Sequence, residues 1–218
     1  MLTLADELAL LAYDDDGRRA LAQPALGHGL AGAVLVELTV AGRIDVVDNR
    51  VVAMGTAPLG HRALDAALTA IAADKLRKPA DWVERLGRGV TEDVLDGLAD
   101  QGVLHREQDR VLWVFPRTRF PSPGGVEPPL ETEVRRRLTA AVVADGPVDA
   151  RTAALCAIIE AVRFDGKVFA GLPRDRVRAR LAGIAADHRA ADATRVAIEQ
   201  VHAALTAVVV AAVPAATG

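Results

Sequence analysis

The chain is poor in aromatic residues, with two tryptophans, one tyrosine and four phenylalanines among 218 residues. A core drawn from Ala, Leu and Val suits closely packed helices. It argues against a sandwich or barrel, whose strands want β-branched and aromatic side chains throughout. Cys156 is the single cysteine, which excludes an intramolecular disulfide and a cysteine-cluster metal site. It sits in the apolar run ALCAIIEAV, where a buried, inert thiol is expected. Lysine is scarce too: 23 of the 26 basic residues are arginine, which together with the abundant alanine suggests a GC-rich bacterial genome. The start lacks the basic residues of a signal peptide, because Asp6 and Glu7 stand there and the apolar run ends by Asp14. A membrane span needs about 20 apolar residues. The longest run, residues 203–216, is broken by Thr206 and Pro214 and reads as a buried core helix. The expectation is a cytoplasmic protein.

Signals of catalysis are missing as well. The histidines at 28, 61, 105, 188 and 202 show no metal-ligand spacing, and none stands beside a serine or cysteine nucleophile motif. The reading is non-enzymatic, with no cofactor or metal.

What the chain does contain is charge unevenly placed within a net of −3. Residues 1–60 hold eight acidic and four basic side chains, including the run Asp14, Asp15, Asp16. Residues 116–180 hold twelve basic and eight acidic ones. Such asymmetry can mark an anionic partner surface, and solvated faces produce it too. The densest basic clusters, Arg135–Arg136–Arg137 and Arg174/Arg176/Arg178/Arg180, are expected to be mainly solvated faces, with anionic lipid headgroups as the other use.

The stretch GHGLAG, residues 27–32, matches the glycine fingerprint of dinucleotide-binding turns. That chemistry needs a buried strand ending at the first glycine and a helix starting after the third. A good helix follows, from Leu30 to about Gly42, but the preceding GRRALAQPAL cannot be a central strand. The fingerprint is rejected.

Along the chain, TLADELALLAY reads as a helix capped by Thr3, with Leu4, Leu8 and Leu11 on one apolar face. Asp6 and Glu7 fall in its first turn, where the helix dipole favours them. Leu64, Leu68, Ile71 and Leu76 mark an amphipathic helix ended by Pro79. Pro173 opens another, with Val177, Leu181 and Ile184 inward, and a last helix runs from about Thr194 to Val213. At an offset of 60, residues 35–52 lie over residues 95–112, each reading as helix, glycine stop, strand, polar turn (DN or QD) and strand. Residues 115–129 read as a proline-rich loop.

Several segments together resemble the Golgi phosphoprotein 3 family: LTLADELALLAYDDDGR, GHGLAGAVLVELTVAGRI, TAPLGHRALDAAL, DWVERL, DQGVL with its hairpin, RVRARL and AVVVAAV. The resemblance covers nearly the whole chain. It implies one mainly helical domain over residues 1–218, with a central buried apolar helix surrounded by amphipathic helices and β-hairpins at the edge. It further implies a non-enzymatic peripheral membrane adaptor that reads phosphatidylinositol 4-phosphate with a tryptophan and three arginines. Carried over residue by residue, the tryptophan position holds Ala22, and the arginine positions hold Ala31, Arg88 and Thr91. A doubly charged phosphomonoester wants several donors, ideally bidentate arginines. With Arg88 alone retained, phosphoinositide specificity is expected to be weakened or lost.

The family's apolar hairpin corresponds to EQDRVLWVFPRT, residues 107–118. Leu112, Trp113 and Phe115 supply the membrane-facing bulk, and Arg110, Arg117 and Arg119 suit headgroup phosphates. The same alternation would serve a strand packed on the core, so both placements stay open. The expected partners are anionic membrane lipid at the inner face of the membrane and an unidentified protein client, with homo-oligomers through the hairpin. A protein-binding scaffold without lipid affinity is the alternative. Winged-helix DNA binding is disfavoured, because the helix VLDGLADQ carries Asp96 and Asp100 without a basic residue and the pI is near 6.0.

Overall fold

In the computed structural model, residues 2–111, 115–187 and 193–212 are described, with side chains at 2–108, 118–186 and 199–212. The apolar stretch after GHGLAG belongs to helix α2, Ala25–Val40. Leu30, Val34, Leu35, Val36 and Leu38 are all fully buried on it. Each such side chain contributes roughly 1.5–3 kcal/mol on leaving water, so α2 anchors the fold. Helices α1 (Leu4–Ala12), α4 (Pro79–Leu86), α7 (Ala150–Ala161) and α10 (Ala193–Ala211) pack around it. Helices α3 (Arg62–Ala73) and α5 (Val90–Asp100) close one side. Helices α6 (Pro129–Val143), α8 (Asp165–Val168) and α9 (Arg174–Asp187) form a layer on α1 and α7. The architecture is mainly helical, with two antiparallel strand pairs: β1 (Ile44–Val47) with β2 (Arg50–Ala53), and β3 (Glu107–Val111) with β4 (Phe115–Arg119).

The glycines of GHGLAG lie inside α2, which starts at Ala25 rather than after them. They are packing glycines. A Cβ at Gly27 would come within 2.2 Å of the Gly87 carbonyl oxygen, one at Gly29 within 3.0 Å of Leu8 and Val162, and one at Gly32 within 2.9 Å of Leu205. Three faces of one helix are thus shaved to admit α4, the α1/α7 pair and α10.

Helix α1 carries the expected capping box. Asp6 N–H donates to Thr3 Oγ1 at 3.2 Å, and Thr3 N–H donates to Asp6 Oδ2 at 2.8 Å. The helix is buried all round, however, and not only on its leucine face. Its two carboxylates are covered and paired rather than solvated in the first turn.

The repeat is real at its helix ends. Gly42 and Gly102 both take left-handed φ values, +63° and +71°. The next residues, Arg43 and Val103, donate back to Leu38 and Leu98, which gives the same glycine stop 60 residues apart. Beyond it the copies diverge. Asp48 and Asn49 turn the first hairpin as expected, whereas Gln108 and Asp109 pair with Thr118 and Arg117 inside β3–β4.

Other boundaries differ for local reasons. Helix α3 stops at Ala73, Leu76 lies exposed beyond it, and Pro79 opens α4 at the position where a missing N–H costs nothing. Helix α10 buries Val201, Leu205, Val208 and Val209 but exposes Val210, so its apolar second half is only partly core. Cys156 is buried, and burial pushes its thiol up to about 12. Among the described residues, no helix is long and apolar enough to cross a membrane.

Candidate functional site

The arginine clusters are mostly committed to structure. Arg135 pairs with Glu131 at 2.6 Å and Arg136 with Glu133 at 2.7 Å, each within one turn of α6. Arg137 reaches Glu7 at 2.6 Å. Arg151 joins Glu7 at 3.3 Å and Glu37 at 2.9 Å. On α9, Arg176 donates to the Val143 carbonyl at 3.1 Å, and Arg180 donates to the carbonyls of Ala141 (3.1 Å) and Gly146. These two arginines cap the C-terminal end of α6, where cations and donors are favoured. Arg136 and Arg178 keep most of their side chains in solvent, Arg178 lying 3.8 Å from Asp165. The outer face of α5 is likewise spoken for, with Asp93, Asp96 and Asp100 arrayed on Arg62 at 3.8, 3.7 and 3.2 Å. A nucleic-acid recognition helix would need the opposite charge there.

Two of the headgroup positions taken from the resemblance do converge. Arg88 and Thr91 line one open pocket of about 670 Å³, set between the start of α2, the α4–α5 junction and the end of α10. Gln23, next to the exposed Ala22, enters the same pocket, where its Nε2 donates to Thr91 Oγ1 at 3.2 Å. Ala31 does not converge, since it is fully buried in α2. The sequence reading missed Glu84 and Glu92, which stand at this pocket with Arg88. His28 also lines it, and burial holds its imidazole below the ordinary value against the pull of Glu84. Among the described residues the pocket therefore presents two carboxylates, one guanidinium and a neutral imidazole. That balance opposes a phosphomonoester dianion.

A second groove, about 450 Å³, lies beside the foot of the β3–β4 hairpin. Arg119, the last residue of β4, lines it with Arg19, Tyr13 and Thr118, while Glu92 gives it one carboxylate. Arg119 Nη2 donates to the Asp16 carbonyl, and its buried Nε has no partner among the described residues. Arg19 was not singled out from sequence. It arrives there because Gly17, at φ +72°, turns the DDDGRR segment back so that Arg19 bridges to Tyr13. The same glycine lets the turn lie on the Phe120 backbone, which a Cβ would meet at 2.9 Å. Burial pushes the Tyr13 phenol up, with Arg19 opposing.

Strands β3 and β4 pack chiefly on each other and share no comparable interface with a helix among the described residues. The backbones of Arg110, Phe115 and Arg117 belong to this hairpin, but their side chains lie outside the described residues, as do Leu112 and Trp113 altogether.

Comparison with known proteins agrees with this architecture. The family model for Golgi phosphoprotein 3 (GPP34) matches residues 4–201. Vacuolar protein sorting-associated protein 74 from Eremothecium gossypii is 28% identical over 131 residues, covering 49% of this chain and 40% of that relative. A match running from the first helix into the last means that the chain belongs to the Golgi phosphoprotein 3 family.

Proposed function

We propose that the protein is a non-enzymatic peripheral membrane adaptor. It meets anionic lipid through the β3–β4 hairpin and the arginines at its foot. The observation that carries this reading is the groove shared by Arg19 and Arg119 beside a hairpin that packs chiefly on itself. Arginine pairs clamp phosphate in the planar, forked geometry a lysine cannot offer. Arg110 and Arg117 extend the basic character along the strands, while Leu112, Trp113 and Phe115 supply apolar anchorage. The protein sits on the inner face of the membrane. Its binding there is general for anionic lipid, because Ala22, Ala31 and Thr91 replace three of the four side chains that would read phosphatidylinositol 4-phosphate. A relative named for vacuolar protein sorting supports the adaptor role, with a protein client still to be identified and self-association through residues 107–118.

Co-sedimentation with neutral, anionic and phosphatidylinositol 4-phosphate-doped vesicles tests this. Binding to both charged sets, little to neutral vesicles, and a loss of about tenfold on raising salt from 50 to 200 mM are expected from screened arginine–phosphate contacts. Arg19→Gln/Arg119→Gln should weaken binding to the same degree. Absence of binding to every vesicle would contradict the proposal and favour a protein scaffold without lipid affinity.

A further inference from the structure

We propose that the acidic turn after α1, residues 14–17, is a pH-sensitive latch. A proton on Glu131 seats the turn between the start of α6 and the foot of the β3–β4 hairpin, and loss of that proton releases it. The consequence for lipid rests on the membrane reading above.

Glu131 is buried in the first turn of α6. Arg135 is its cationic partner among the described residues, and both guanidinium bonds, at 2.6 and 2.8 Å, end on Oε1. Oε2 is left to carry a proton. The same guanidinium lies 3.5 Å from Glu127 in the preceding loop. Asp15 brings a third carboxylate from the turn. Three carboxylates thus share one guanidinium, and a single proton halves the surplus of negative charge. Burial pushes the Glu131 carboxyl up to about 7, with Arg135 opposing and the charges of Glu127 and Asp15 adding to the rise. The pair one helical step away behaves in the opposite sense. Arg136 serves Glu133 at 2.7 Å and holds that exposed carboxyl below its ordinary value.

The remaining charges nearby are committed elsewhere. Asp14 accepts from the Arg18 backbone N–H at 2.7 Å, and Asp16 pairs with the Arg18 side chain at 2.8 Å. Glu7 of α1 is taken by Arg137 of α6 and Arg151 of α7, while Arg176 and Arg180 of α9 sit at the far end of α6. Asp15 is the charge of the turn that Glu131 repels.

Asp15 is also where the turn is tied down. Ser122 N–H donates to the Asp15 carbonyl at 3.0 Å, whereas Ser122 Oγ reaches its carboxylate only at 3.4 Å, long for a hydroxyl donor. The residues that follow build the basic groove. Arg119 donates to the Asp16 carbonyl, Gly17 lies on the Phe120 backbone, and the returning chain presents Arg19 beside Arg119. A push on Asp15 therefore parts the two arginines. Because the value of Glu131 is raised in the latched form, closure is favoured in full below about 4.5 and is lost as pH rises through about 7.

Amide hydrogen exchange of the full chain without lipid tests the latch. Gly17, Ala20 and Ser122 donate to Asp14, Ala12 and Asp15 and report the turn. After correction for intrinsic exchange, their opening constants should rise on the order of tenfold between about pH 5 and 7.5. Glu131→Gln keeps an oxygen for Arg135 but cannot ionise, so it should flatten that profile. Asp15→Asn should keep the transition and move it to lower pH. Opening constants independent of pH in the wild type, or an unchanged profile in Glu131→Gln, would overturn the proposal.

A parallel arm measures sedimentation with phosphatidylglycerol vesicles at the same two pH values. Wild-type binding should fall severalfold at the higher pH, and Glu131→Gln should not follow it. Equal wild-type binding at both would overturn the latch's hold on the groove. If no vesicle binds at either pH, the membrane reading fails while hydrogen exchange still decides the latch.

Discussion

Gly27 faces the carbonyl oxygen of Gly87, and a methyl group at Gly27 would sit 2.2 Å from it. The neighbour is backbone, so it cannot rotate away as the Leu205 side chain opposite Gly32 can. Gly27→Ala should therefore cost about 3 kcal/mol or more, at the upper end of overpacking effects. Gly32→Ala should cost less, since a helix gains roughly 0.5–1 kcal/mol from alanine over glycine. Urea unfolding of the two variants measures the difference. Similar losses in both would mean that α2 and α4 are not so closely apposed.

Glu7 lies between two guanidinium groups, those of Arg137 and Arg151, with its side chain 5% exposed. Removing the carboxylate leaves both arginines without their shared partner and unties α1 from α6 and α7. Glu7→Ala should destabilise by about 3 kcal/mol, the scale for breaking a buried pair from one side. Chemical denaturation at neutral pH is the check.

His61 Nε2 lies 3.0 Å from Asp6 Oδ2, and this bond raises the imidazole above its ordinary value of 6.5, burial opposing it. Protonation forfeits the Leu64 N–H contact to Nδ1, but at 3.4 Å that contact is weak. A raised folded value means that the folded state holds the proton more tightly. The stabilisation is present in full below the unfolded value and is lost as pH rises through the folded one. Thermal midpoints should fall for the wild type relative to His61→Gln as pH climbs from about 6 to 8. Parallel curves would refute the coupling.

Arg180 reaches the Ala141 carbonyl in the last turn of α6 and the Gly146 carbonyl in the loop that follows. Arg180→Ala should cost about 1–2 kcal/mol, the worth of two partly exposed hydrogen bonds. It should leave vesicle binding unchanged at a temperature where the variant is folded. A selective loss of vesicle binding would return α9 to the lipid-binding surface.

Much of the fold was legible in the sequence because it is written in local chemistry. Thr3 and Asp6 announce the first cap, Gly42 and Gly102 announce two helix ends, and the apolar run after Gly29 announces the central helix. The long-range pairing of charges was not legible. Glu7 meets Arg137 and Arg151 across more than 120 residues of chain, whereas the pairs of Arg135 and Arg136 with Glu131 and Glu133 lie at helical spacing. The candidate site was half legible. Arg88, Thr91 and Arg119 could be named from the resemblance and the hairpin pattern. Arg19, Glu84 and Glu92 could not, because a turn at Gly17 and the α4–α5 junction bring them in, and neither leaves a period in the sequence.

The most direct test of the membrane reading is the fluorescence of Trp113. The chain has two tryptophans, and Trp82 is fully buried, so the difference spectrum between wild type and Trp113→Phe reports the hairpin. On adding anionic vesicles, the Trp113 component should shift to the blue and be quenched by brominated acyl chains, as expected for an indole entering the interface. An unchanged, unquenched Trp113 signal at saturating vesicle concentration would contradict the account.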